Sequence, residues 1–153
     1  MPYLNEFKEA LRRNTRLELE SPYFLYEDTR YLDDDFNAQF PYLTLNTFGM
    51  LEPKDLTARC IPIHNELQTV LKEQMGILSY FTIGSVMLEG KEVYCQTEDS
   101  LKRFLSEGID FYSANLHAWL TLPTMEIIDM TFSTSYGVIN NKKELLGQVI
   151  TKN

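Results

Sequence analysis

Residues 115–132 constrain the fold more than any other stretch. Two runs, Asn-Leu-His-Ala-Trp-Leu-Thr-Leu and Glu-Ile-Ile-Asp-Met-Thr-Phe, flank Pro123-Thr124-Met125. Apolar, β-branched and aromatic runs separated by a proline-containing turn read as paired antiparallel strands over 115–122 and 126–132. Strand alternation puts His117, Trp119 and Thr121 on one face, and Ala118, Leu120 and Leu122 on the other. A tight hairpin centred on Pro123 sets His117 directly opposite Asp129. Directly opposed residues share a face with Cβ atoms roughly 5 Å apart. An aspartate so placed can bond one imidazole nitrogen, fix the tautomer and stabilise the imidazolium.

The rest of the chain supplies cover for such a sheet. Residues 3–14 read as an amphipathic helix with Leu4, Phe7, Ala10 and Leu11 on one face. Residues 62–75 read as another, with Pro62 in its first turn, Leu67, Val70, Leu71 and Met75 as its buried stripe, and Gly76 as its stop. Residues 78–88 form a β-rich run, Glu89-Gly90 a hairpin turn and 92–96 the return strand. Residues 99–105 read as a short helix turning Leu101, Phe104 and Leu105 inward, and 141–150 as a terminal helix weakened by Gly147. The segment 17–59 has no clean period. Its acidic residues alternate with aromatic ones, which predicts an ordered, loop-rich stretch of short elements. Asp33-Asp34-Asp35 lacks the alternating spacing of a calcium loop and reads as a solvated turn. With no internal repeat, the 153 residues predict one α+β domain with a mostly antiparallel sheet.

Composition removes several function classes. The net charge of −8 argues against nucleic acid and anionic membranes, both of which need a cationic face. No apolar run approaches about 18 residues, so no membrane span is expected. The first residues carry no basic stretch followed by an apolar one, which predicts a cytoplasmic protein; export without such a signal stays open. Two cysteines without an export signal predict two free thiols. Cys60, His64, Cys95 and His117 contain no C-x2-C pair, so no zinc site is expected.

Cys60 stands just before the 62–75 helix, where free N–H groups and the helix dipole favour a thiolate. Its spacing to His64, Leu67 and Leu71 places it on the helix's buried stripe, facing the sheet. Should that helix pack over the His117 face, Cys60, His117 and Asp129 become nucleophile, base and orienting acid. The plainer reading makes Cys60 an inert packing residue, since cysteine is among the most buried residue types. His64 lacks an orienting acid and reads as a polar boundary residue, Cys95 as a packing cysteine.

His117-Ala118-Trp119, followed by Asp129-Met130-Thr131, resembles the HAW…D-x-T pattern of the transglutaminase-like superfamily. Cys60 opening a helix that runs through Leu71-Lys72-Glu73-Gln74-Met75-Gly76-Ile77 into Ser79-Tyr80-Phe81-Thr82 is similar to the same pattern. The resemblance covers about residues 58–132, roughly half of the chain. It implies a papain-like fold with the nucleophile helix packed on the sheet, and a Cys60–His117–Asp129 triad acting on amides of a protein or peptide substrate. That chemistry requires no metal or organic cofactor. Thr57-Ala58-Arg59 carry none of the glycine and aromatic neighbours usual beside that cysteine. Met130 stands where the pattern has proline, so the resemblance implies a remote relative. Trp119 is expected at the pocket wall or substrate. The second oxyanion donor is expected from residues 40–59, with Asn46 a candidate. The rival expectation is a catalytically inactive module of the same fold that binds partners through its acidic, aromatic-rich N-terminal half. The oligomeric state stays open.

Overall fold

The computed structural model describes residues 1–110 and 115–152. Helices α1 (Pro2–Arg16), α2 (Asp34–Phe48), α3 (Pro53–Leu56) and α4 (Cys60–Met75) come first. Strands β1 (Tyr80–Gly84), β2 (Val86–Leu88) and β3 (Lys91–Val93) follow, then α5 (Glu98–Glu107), β4 (His117–Thr121), β5 (Ile127–Asp129), α6 (Phe132–Ile139) and β6 (Ile150–Lys152). The architecture is α+β: an antiparallel sheet in the order β1-β4-β5-β6, with β2 and β3 as a separate hairpin. No helix among the described residues is long and apolar enough to cross a membrane.

Helix α4 packs on β4 and β1. Its Ile63, Leu67, Val70 and Leu71 share one apolar core with Leu120, Leu122 and Ile128 of the β4–β5 hairpin and with Phe36, Phe40 and Leu43 of α2. The face carrying Trp119 and Thr121 is covered instead by α1. There the Tyr3 hydroxyl accepts from the Trp119 indole at 2.8 Å and lies 2.7 Å from Thr121 Oγ1. Phe7, the buried residue of α1, packs its ring against Phe24 and Tyr80.

Several elements differ from the sequence reading. The stretch read as loops and short elements contains α2, fifteen residues long despite Pro41 in its interior. Asp33 is its N-cap, accepting from Phe36 N at 2.8 Å, and Asp34 and Asp35 sit in the first turn, where carboxylates complement the dipole. Stacking of Phe36 on Phe40 and burial of Leu43 supply tertiary contacts against the proline's cost. The terminal helix is absent: α6 comes earlier, and residues 143–145 form only a 3-10 turn before β6. Gly137 of α6 has no room for a Cβ, which would meet the Lys142 carbonyl oxygen at 2.8 Å. Leu105 faces solvent rather than the core. The Glu89-Gly90 turn is as expected, with both residues at positive φ, but the run entering it breaks at Ser85 into β1 and β2.

The β4–β5 hairpin forms with a shifted register. Pro123 and Thr124 occupy the turn and Met125 adds a residue at φ 68, so Leu122 N donates to the Glu126 oxygen while the Leu122 oxygen accepts from Met125 N, instead of Leu122 facing Thr124. The observed pairs are Leu120 with Ile128 and Thr121 with Ile127. His117 is therefore diagonal to Asp129 rather than directly opposite. Both remain on one face, because the displacement is two residues and faces alternate with period two.

Candidate active site

Cys60 is the first residue of α4, two positions earlier than the helix was expected to start. Its backbone N–H belongs to the first turn, whose donors have no intrahelical acceptor. The loop before it is held from α6: Ser135 Oγ accepts from Ala58 N at 3.4 Å and donates to the Leu56 carbonyl at 3.5 Å. Ala58 adopts φ 55, a conformation uncommon for a residue with a Cβ. The loop geometry that delivers Cys60 is thus imposed by packing rather than chosen by local preference.

His117 and Asp129 meet in a buried pair, His117 Nε2 lying 2.6 Å from Asp129 Oδ2. The other carboxylate oxygen is fully used. Asp129 Oδ1 accepts from Thr131 N at 2.9 Å, Phe132 N at 3.0 Å and more distantly from Thr131 Oγ1. These bonds aim the carboxylate at the ring. With Nε2 taken by Asp129, Nδ1 is the nitrogen left for Cys60. The thiol donates over 3.8 Å to the carbonyl of Leu116, the residue before His117, and the Cys60 charge acts on the imidazole.

Electrostatics follow from this arrangement. Burial pushes the His117 pKa down, but the hydrogen bonds to Asp129 and Cys60 and the charges of both outweigh it, and His117 is pushed up to about 9. Burial likewise opposes ionisation of Asp129, yet the bond to His117 and its positive charge hold the carboxyl below its ordinary range. At neutral pH the pair is imidazolium and carboxylate.

His64 belongs to this cluster, which the sequence reading did not foresee. It is fully buried, not at a boundary. Its Nδ1 lies 2.8 Å from the Cys60 carbonyl oxygen, and its Nε2 accepts from Met130 N at 3.0 Å. An accepting Nε2 carries no proton, so Nδ1 is the donor and the ring is neutral; burial lowers its pKa accordingly. The 3.6 Å approach of Nε2 to Asp129 Oδ1 is therefore not an ion pair. His64 ties the first turn of α4 to the β5–α6 junction, and so ties Cys60 to Asp129. Its spacing of four from Cys60 was the available signal.

Three rings surround the imidazole: Tyr94 at 5.4 Å, Phe132 at 5.3 Å and Trp119 at 5.8 Å between centroids. Trp119 is buried and its indole N–H is spent on Tyr3, which makes it a wall. Nothing in the sequence marked Tyr94. Asn46 is exposed on α2 and makes no hydrogen bond with Cys60, His117 or Asp129, so the structure does not bring it to the site. Cys95 is exposed, which corrects its reading as a packing residue; the adjacent Glu92 carboxylate pushes its thiol pKa up. Both cysteines are free. Comparison of the chain with protein-family models, curated proteins and solved structures gives no match.

Proposed function

We propose that this chain is a cysteine-dependent amide hydrolase or acyltransferase, a remote transglutaminase-like relative with a papain-like fold. Its working group is Cys60, His117 and Asp129. The observation that carries the reading is the buried His117–Asp129 bond of 2.6 Å, with Cys60 opening a sixteen-residue helix and its thiol on the carbonyl of Leu116, the residue before His117. In this reading the Cys60 thiolate attacks a protein or peptide carboxamide carbon. The Cys60 backbone N–H then donates to the oxyanion. His117 gives its proton to the leaving amine as the C–N bond breaks, leaving a thioester and a neutral imidazole. Water or an amine attacks the thioester carbon, His117 takes the proton, and the sulfur departs as thiolate. The product is an acid or a new amide.

The test is selective alkylation. Below pH ~7 iodoacetamide should label Cys60 faster than Cys95, although Cys95 is exposed, because only Cys60 has an imidazolium partner. His117→Ala should abolish that preference. Equal, slow labelling of both cysteines in the parent would sink the proposal.

A second reading, an inactive interaction module, is favoured by the exposure of Tyr23, Leu25 and Tyr42 in the acidic N-terminal half. Loss of partner binding on Tyr23→Ala and Tyr42→Ala, with retention on Cys60→Ala, would select it.

A further inference from the structure

Tyr94 follows the β2–β3 hairpin, which belongs to a different sheet from β4 and β5. Its backbone sits at φ 61, a left-handed conformation that a bulky side chain rarely adopts. Such a conformation persists only where surrounding contacts over-determine it. Here those contacts are rings of the site itself: Tyr94 lies against His117 at 5.4 Å with a 33° interplanar angle, and edge-on to Phe132 at 6.2 Å. Of the three rings around the imidazole, Trp119 is its neighbour on β4 and Phe132 is fixed by its N–H bond to Asp129. Only Tyr94 arrives from outside the β4–β5–α6 unit, and it is half-buried while the imidazole it lies against is buried.

We infer that Tyr94 is a positioning residue of this site. Its ring holds the plane of His117 so that Nε2 meets Asp129 while Nδ1 faces Cys60, and it keeps water from the His117–Asp129 bond. The inference rests on the proposed triad. The charged or titratable groups facing His117 are Asp129 from β5, Cys60 from α4 and Tyr94 itself, with neutral His64 behind Asp129. The ring, not the hydroxyl, carries the effect, so phenylalanine should replace tyrosine without loss.

The His117 Nε2 proton provides the readout, because a short buried bond to a carboxylate gives a far-downfield proton resonance that survives only where exchange with water is slow. The resonance is expected in the parent and in Tyr94→Phe. In Tyr94→Gly, which relieves the backbone strain, it should exchange about tenfold faster, corresponding to ~1.4 kcal/mol of lost ring contact. Should Tyr94→Gly fail to fold, Tyr94→Asn, which also accepts the left-handed conformation, takes its place with the same expectation. An unchanged resonance in the folded Gly or Asn variant would overturn the inference. So would its loss in Tyr94→Phe or its absence from the parent. Selective labelling of Cys60 in the parent separately tests the triad, so the two failures are distinguishable.

Discussion

Replacing Asp129 by asparagine separates the charge of the carboxylate from its shape. Asparagine Oδ1 can keep the bonds from Thr131 N and Phe132 N, so the β5–α6 junction should persist. Its amide nitrogen must then face His117 Nε2, now 2.6 Å from a carboxylate oxygen. Two N–H donors cannot share that bond, so the imidazolium loses its acceptor and its counter-charge together. In the parent Asp129, together with Cys60, holds His117 at about 9 against a reference of 6.5, despite burial that acts the other way. That rise is worth about 3 kcal/mol. Without Asp129, only Cys60 still opposes burial, and His117 should titrate well below 9. The chain contains only two histidines, so Cε1–H resonances followed between pH ~5 and ~10 report both directly. The selective labelling of Cys60 below pH ~7 should fall in parallel. A His117 that still titrates near 9 in Asp129→Asn would refute the electrostatic argument, whatever became of the labelling.

Other substitutions test the supports around the proposed triad. His64→Ala should leave the Met130 N–H without its acceptor and the Cys60 carbonyl without the imidazole, destabilising the fold by about 2–4 kcal/mol in urea titration. A glutamine that restores part of the polar contact should recover some of that loss. Gly84→Ala would bring a Cβ within 2.7 Å of the Trp119 ring, and should cost about 1–3 kcal/mol while shifting the emission of the protein's single tryptophan. Stability should depend on pH from both sides. His117, whose folded pKa is raised, contributes fully below about 6.5 and its share is lost as pH rises through about 9. Asp129 and His64, both lowered, contribute above their ordinary values and their share is lost as pH falls through their folded ones, so denaturant midpoints should decline toward either extreme.

What the sequence disclosed about this fold followed physical locality. The α4 stripe, the Gly76 stop and the Glu89-Gly90 turn are set by residues a few positions apart, and each was legible. Helix α2 was not, because Pro41 is a local veto that a stacked Phe36–Phe40 pair and a buried Leu43 override from a distance. Helix α6 was hidden for the opposite reason: Phe-Ser-Thr-Ser-Tyr-Gly-Val-Ile has little helix propensity, and its burial against the rest of the fold supplies what propensity does not. Tyr94 left no trace at all, since its importance lies in which ring it meets across two sheets.

The His117–Asp129 pair shows why a wrong register could still find the right partners. Met125 shifts the hairpin, so Asp129 is no longer directly across from His117. An error of one residue would have sent Asp129 to the α4 side with Ile128's neighbours reversed, and no carboxylate would face the imidazole. An error of two preserves the face and changes only the reach, from a direct pair at roughly 5 Å to a diagonal one at roughly 7 Å between backbones. An imidazole extending from one strand and a carboxylate from the other can close that gap, and here they do so at 2.6 Å. The face of a strand residue is therefore the robust inference from an alternating sequence, while its exact partner depends on a single turn residue at positive φ.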